Sequence, residues 1–252
     1  MSRVVSLGSG YEDARREVES VVDGFSGLGS VVHDGRNSIR CVPTSFGLWN
    51  VKRYHKPSPT NRIIYTFLRK PKGRRAFLYP ARILEAGFET PRPVAYVEER
   101  EGGLISYSYF ISEQCPYKRR FYEFGDAEPD LCRDVLIAFA RMTARLHEAR
   151  ILHLDYSPGN ILFDRVDGEW HFSLVDTNRM YFGRVSVERG CKNFARLWGQ
   201  PAMFRVIADE YARTRGADPR KCREWVMSAR NQFWHRQIKK KKPKYTLVFE
   251  DA

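Results

Sequence analysis

The sequence predicts an α+β fold in two lobes, a small antiparallel β-sheet with one helix followed by a mainly helical half that contains a β-hairpin. Three observations carry this. Short β-branched and aromatic runs broken by Gly, Pro and Asn turns recur from Phe25 onward. Apolar residues at helical spacing take over beyond Pro129. Within that helical half, a polar loop at His153–Asn160 leads into two alternating runs that stop at Asp176.

The elements follow in order. Residues 1–24 are polar and mixed in charge, with a short helix expected over Tyr11 to Val22 and no evident role. Three antiparallel strands are expected at Ser30–His33, Ser38–Val42 and Leu48–Tyr54, joined by turns at Asp34–Asn37 and Pro43–Gly47. Alternation in the third strand puts Asn50, Lys52 and Tyr54 on one face and Trp49, Val51 and Arg53 on the other. Residues 56–75 read as a basic connector around the apolar Ile63–Leu68. A solvated basic face and a surface that meets anionic lipid or glycan both fit that composition.

A helix is expected over Ala76 to Ala86, with Gly87 as its C-terminal stop, then strands at Pro91–Val97 and Leu104–Ile111 around the Glu101–Gly103 turn. Ser112–Pro116 marks a hinge. Leu131, Val135, Leu136, Phe139, Met142 and Leu146 give one helix over Pro129 to Ala149 its buried face. Further helices are expected at Asn193–Trp198, Ala202–Thr214 and Pro219–Gln237, the last running into Lys239–Lys244. Those lysines suit either a helix C-terminus in water or an anionic membrane surface. The expected division is an N-terminal extension over 1–24, an N-lobe over 25–111 and a C-lobe over 112–252.

Composition narrows the function classes. The chain has 252 residues, 42% of them hydrophobic, which is ample for an independent core. Lys and Arg outnumber Asp and Glu by 43 to 30, and the net charge of +13 favours anionic partners. No nucleic-acid-binding signature accompanies that charge, and the aromatics are not interleaved with the basic residues, so nucleic acid is not expected. Five cysteines, with no C-x-x-C pair, suggest neither a disulfide framework nor a zinc site. The charged N-terminus and the lack of a long apolar run predict a cytoplasmic protein.

The chemistry is concentrated in His153-Leu154-Asp155-Tyr156-Ser157-Pro158-Gly159-Asn160 and, sixteen residues after Asn160, Asp176. Phosphoryl transfer from ATP to a hydroxyl needs a carboxylate near the incoming hydroxyl, and carboxylate and amide oxygens that hold Mg²⁺ against the phosphates. H-x-D-x-x-x-x-N followed by a hairpin and a second Asp supplies these groups at kinase spacing. The runs Ile161–Asp164 and Trp170–Val175, with a turn at Val166–Glu169, form that hairpin. Lys52 on the third strand then faces a nucleotide cleft and reaches ATP phosphates. Gly35, Arg36 and Asn37 occupy the turn where a phosphate-covering loop belongs, a reading compatible with an ordinary hairpin turn. Backbone at Ser112–Pro116 is where the adenine edge would bond.

With Lys52, the Asp155 loop and Asp176 in this order, the chain resembles the lipopolysaccharide kinase (Kdo/WaaP) family, a bacterial branch of the protein-kinase-like superfamily. The resemblance spans about Phe25 to Lys244. It is carried by Gly35-Arg36-Asn37, Val51–Tyr54, Thr90–Ala95, His153–Leu162 and Val175–Arg179. Asp176-Thr177-Asn178-Arg179 stands where protein kinases have Asp-Phe-Gly.

The resemblance implies a bilobal protein-kinase-like fold with ATP and Mg²⁺ as cofactors. The acceptor it implies is a sugar hydroxyl, Kdo or heptose, of the lipopolysaccharide inner core. The partners would be a Kdo-containing lipid A precursor or core oligosaccharide and the anionic inner-membrane surface of a Gram-negative bacterium, which the chain would meet from the cytoplasm. In that reading Asp155 accepts or orients the hydroxyl, His153 supports the loop, Asn160 and Asp176 hold Mg²⁺, and Lys52 clamps the phosphates.

One departure stands out. The Ala76–Ala86 helix lacks a glutamate in its first two turns to pair with Lys52, leaving Glu85, Glu89 or Asp176 as the partner. A transferase acting on another small molecule or a protein, and a non-catalytic nucleotide- or glycan-binding module, stay open on these motifs.

Overall fold

The computed structural model describes residues 2–35 and 37–250. The chain forms two compact units. The first comprises residues up to Pro116 together with Asp176–Asn178, and the second comprises Tyr117–Val175 with the chain from Arg179 on.

The first unit is built on a six-stranded sheet, β1 (Ser2–Leu7), β2 (Ser30–Asp34), β3 (Asn37–Thr44), β4 (Gly47–Tyr54), β5 (Pro93–Glu101) and β6 (Leu104–Glu113), in the order β1-β5-β6-β4-β3-β2 with every pair antiparallel. The period-two pattern of β4 sets its faces. Trp49 and Val51 are fully buried, packed with Val97, Ile111 and the Val18, Val21 and Val22 of helix α1 (Arg15–Asp23). Area bookkeeping makes each such buried aliphatic side chain worth roughly 1.5–3 kcal/mol.

Lys52 and Tyr54 face the other way, the side covered by helix α3 (Lys72–Glu85). Gly73 lets α3 approach closely. A Cβ there would lie 2.9 Å from the Tyr96 ring and 3.3 Å from Tyr54 Cδ2. Gly87, at φ +80, closes the helix with the expected C-terminal turn: its N–H bonds the Leu84 carbonyl and the Phe88 N–H bonds that of Ile83.

Several sequence expectations are revised here. Residues 2–7 form an edge strand on β5, and the expected first helix begins only at Arg15 after one tight turn at Glu12–Ala14. Alternation in Ser2–Leu7 is weak because the strand is half exposed. The basic connector contains a short helix, α2 (Pro59–Ile63), continued by a wide turn through Leu68. Helix α3 starts at Lys72, a turn earlier than expected, since Pro71 sits before the first helical residue, where its missing N–H costs nothing.

The second unit gathers around α4 (Arg133–Glu148), whose Val135, Leu136, Phe139, Ala140 and Leu146 are buried. Leu131, assigned to that face by spacing, is 81% exposed, because residues 130–132 make a separate tight turn before α4 begins. Strand β7 (Arg119–Arg120) pairs with β9 (Ile161–Val166), which pairs in turn with β10 (Glu169–Leu174). Asp167 and Gly168, both at positive φ, make the tight turn of that hairpin. Strand β8 (Ile151–His153) pairs with β11 (Met180–Phe182). Helices α5 (Val187–Asn193), α6 (Pro201–Arg215) and α7 (Pro219–Ile238) complete the unit, and Gly216 at φ +58 ends α6. The helix expected at Asn193–Trp198 is instead the end of α5 and a single turn. Among the described residues no helix is long and apolar enough to cross a membrane.

Candidate active site

In the first unit Lys52 is the centre. The β4 alternation brings its side chain to the face opposite Trp49, and its Nζ donates to Asp176 Oδ1 at 2.6 Å with the lysine side chain only 13% exposed. That settles the partner the sequence left open: Lys52 is paired with Asp176, while Glu85 ends α3 as an exposed residue. Asp176 itself holds a left-handed backbone, φ 54, which a short polar side chain tolerates. Asn178 Nδ2 donates to the same Oδ1, and Asn178 Oδ1 is buried without a hydrogen-bond partner.

Beside this pair the Tyr54 hydroxyl is also buried and unpartnered. Burial pushes its pKa well above the ordinary phenol value, the Asp176 carboxylate adds to the push, and the Arg75 guanidinium opposes it. Lys52 Nζ lies 5.4 Å from the Tyr54 ring centroid. The turn between β2 and β3 holds Gly35, and Asn37 opens β3 opposite Tyr54 in register; Arg36 lies outside the described residues. Ser38 Oγ donates to Asp34 Oδ1 at 2.8 Å and closes that hairpin.

In the second unit the loop from His153 to Asn160 is a closed hydrogen-bonded figure. The Asp155 N–H donates to His153 Nδ1 at 3.1 Å, which leaves the ring proton on Nε2, 3.0 Å from the Val175 carbonyl that accepts it. His153 is fully buried, and Asn193 Nδ2 binds its carbonyl at 3.1 Å. Asn160 Nδ2 donates to the Asp155 carbonyl at 2.8 Å, and the Asn160 carbonyl accepts from Val175 N at 3.0 Å. The β9–β10 register, Ile161 opposite Leu174, brings the two ends of the hairpin to this loop.

The Asp155 carboxylate is bracketed by two guanidiniums. Arg196 Nη1 bonds Oδ1, and Arg179 Nη1 lies 3.4 Å from Oδ2. Charge-assisted bonds of this kind fix the orientation of a carboxylate.

Among the described residues no group of three His, Cys, Asp or Glu comes together. Mg²⁺ bound with a nucleotide needs only one or two carboxylate or amide oxygens, with phosphates and water completing its shell. Each unit carries oxygens of that kind. Asn160 spends its amide NH₂ on the loop and retains an oxygen, and the orphan Oδ1 of Asn178 adds another hard donor next to Asp176.

Sequence reasoning missed Tyr54, Asn178, Arg179, Asn193 and Arg196 as site residues. Asn178 and Arg179 stand inside a motif already singled out, and Tyr54 shares the Lys52 face. Arg196, 41 residues beyond Asp155, has no local signal.

The fold is that of a kinase-like phosphotransferase. It is similar to a solved structure described as WaaP in complex with acyl carrier protein, with a TM-score of 0.62 and 17% sequence identity, over 94% of this chain and 98% of that one. The model of the lipopolysaccharide kinase (Kdo/WaaP) family matches residues 29–198, and the chain belongs to that family. No curated protein matches the sequence.

Proposed function

We propose that this chain transfers the γ-phosphoryl group of ATP to a sugar hydroxyl, Kdo or heptose, of the lipopolysaccharide inner core at the cytoplasmic face of the inner membrane. Family membership supports the reaction class. The observation that carries the reading is the Asp155 carboxylate, held by the His153–Asn160 loop and oriented by Arg179 and Arg196.

Each residue has a role in this reading. Asp155 takes or orients the proton of the acceptor hydroxyl, and His153 holds the loop backbone. Lys52 binds ATP phosphates, and Gly35, Arg36 and Asn37 line the turn that covers them. Asn160 and Asp176 give oxygens to Mg²⁺, which offsets phosphate charge during transfer. Arg179 and Arg196 suit an acceptor carrying its own carboxylate or phosphate, because guanidinium forks bind such groups bidentately. The structure titled WaaP in complex with acyl carrier protein makes a protein of that kind a second candidate partner.

The test is mass spectrometry of a purified Kdo-containing lipid A precursor after incubation with the enzyme, ATP and Mg²⁺. One added phosphate on a sugar is expected, and Asp155→Ala and Asp176→Ala should each abolish it while circular dichroism stays native. Undiminished transfer in either variant overturns the roles. ATP hydrolysis without transfer to the precursor overturns the acceptor, and nucleotide binding without any turnover favours a binding module.

A further inference from the structure

The segment Pro59–Leu68 in the first unit inverts the usual amphipathic rule. Two of its polar side chains point inward: Arg62 donates to the carbonyls of Ile105 at 2.7 Å, Glu101 at 3.0 Å and Leu104 at 3.3 Å, and Thr66 Oγ1 accepts the Ile105 N–H at 3.0 Å. Its apolar side chains are left outside. Ile63 is 52% exposed, Phe67 71% and Leu68 80%. The last turn is wide, with the Arg69 N–H bonded to the Ile64 carbonyl at 2.8 Å, so the segment ends in a broad apolar tip rather than a continuing helix.

Single exposed apolar residues are ordinary, but three within six residues on an anchored tip are not. The surrounding charge says what meets them. Between Asp34 and Glu85 the chain has twelve Lys or Arg and no Asp or Glu, which nearly accounts for the net +13. Arg69 and Lys70 directly follow the tip and are exposed, as is Arg74. Beside the segment a pocket of about 280 Å³ has a mixed lining, with Lys56, Asn61 and Lys72 among its polar side chains and Pro57, Pro71 and Ile105 among its apolar ones.

We propose that Ile63, Phe67 and Leu68 insert into an anionic phospholipid bilayer, with Arg69, Lys70 and Arg74 on its headgroups. Apolar residues on a basic rim are the composition of interfacial anchors, in which apolar insertion and attraction to anionic lipid add. Each basic side chain at such a surface strengthens binding roughly fivefold. The proposal rests on the lipid-linked acceptor read above, since a membrane anchor serves an enzyme whose substrate is embedded there, but its test needs neither ATP nor acceptor.

The experiment is sedimentation of the full chain with vesicles of phosphatidylglycerol and phosphatidylcholine, against vesicles of phosphatidylcholine alone. Wild type should bind the anionic vesicles and lose that binding in high salt. Phe67→Ser with Leu68→Ser, and separately Arg69→Glu with Lys70→Glu, should each weaken binding at least tenfold with unchanged thermal unfolding. Leu131→Ser, which removes an equally exposed but isolated leucine, should bind as wild type. The proposal is overturned if wild type ignores anionic vesicles, or if either double variant binds within twofold of wild type. It is equally overturned if the tip variant instead abolishes a concentration-dependent dimer seen by sedimentation velocity. Failure of phosphate transfer with vesicle binding intact would count against the kinase reading alone.

Discussion

Asp155 shows how a single residue type acquires its chemistry from distant partners. Its place in H-x-D-x-x-x-x-N was legible because the bonds that shape the loop internally are local: Asp155 N–H to His153 and Asn160 to the Asp155 carbonyl span two and five residues. Its two guanidiniums are not local, lying 24 and 41 residues away, and only the second unit's packing brings them in. If Arg196 orients Asp155 and meets the acceptor, Arg196→Ala should raise the acceptor KM about tenfold or more while leaving the KM for ATP unchanged. Steady-state kinetics with each substrate varied in turn reads this. Equal losses against both substrates would make Arg196 a purely structural residue. Arg196→Lys should recover charge but not the fork, and so only part of the effect.

At the scale of elements, α4, α5 and α6 meet at His147. Its Nδ1 lies 2.9 Å from the Tyr211 hydroxyl and its Nε2 3.3 Å from Asn193 Oδ1. Gly190 of α5 makes the approach possible, since a Cβ there would run into the Tyr211 hydroxyl and lie 2.8 Å from His147 Nδ1. Helices α4 and α6 were legible in the sequence, but α5 and the junction were not, because a histidine and a tyrosine on a helix look the same in sequence whether buried or wet. Burial lowers the His147 pKa to about 3.

The unfolded chain, with histidine near 6.5, therefore takes up a proton between pH 6.5 and 3 that the folded state refuses. The contribution is full above pH 6.5 and is lost as pH falls toward 3, at up to about 1.4 kcal/mol per pH unit. Urea unfolding at pH 7.5 and 5.0 should show wild type losing about 2 kcal/mol more than His147→Gln over that interval. Equal losses would exclude His147 as the source.

For the molecule as a whole, what the sequence conveys least is how the chain ends. The Pro219–Gln237 helix was evident, but nothing in the sequence singled out one of its arginines as buried. Arg230 is fully buried at the middle of α7, 4.9 Å from the Phe204 ring centroid, with burial lowering its pKa. It donates to the Val248 carbonyl at 2.9 Å and the Gly199 carbonyl at 3.1 Å, 18 and 31 residues away. Gln200 and Asp126 hold Thr246 from the other side, and Tyr245 stacks on Trp198. The C-terminal segment is thus tied across the second unit, with Arg230 as its buried cation and Asn231 and Arg205 holding Glu250. Burying that cation is costly, so a substitution has two opposed effects: it relieves desolvation and it orphans two carbonyls. Leucine cannot reach either carbonyl, and the exposed tail can regain its bond only by leaving for water, so the second effect wins. Arg230→Leu should lower the local opening free energy of residues 245–250 by about 3 kcal/mol. Native-state hydrogen exchange at the Thr246 amide should then accelerate roughly a hundredfold. Exchange unchanged at Thr246 would mean that Trp198 and Gln200, not Arg230, hold the tail.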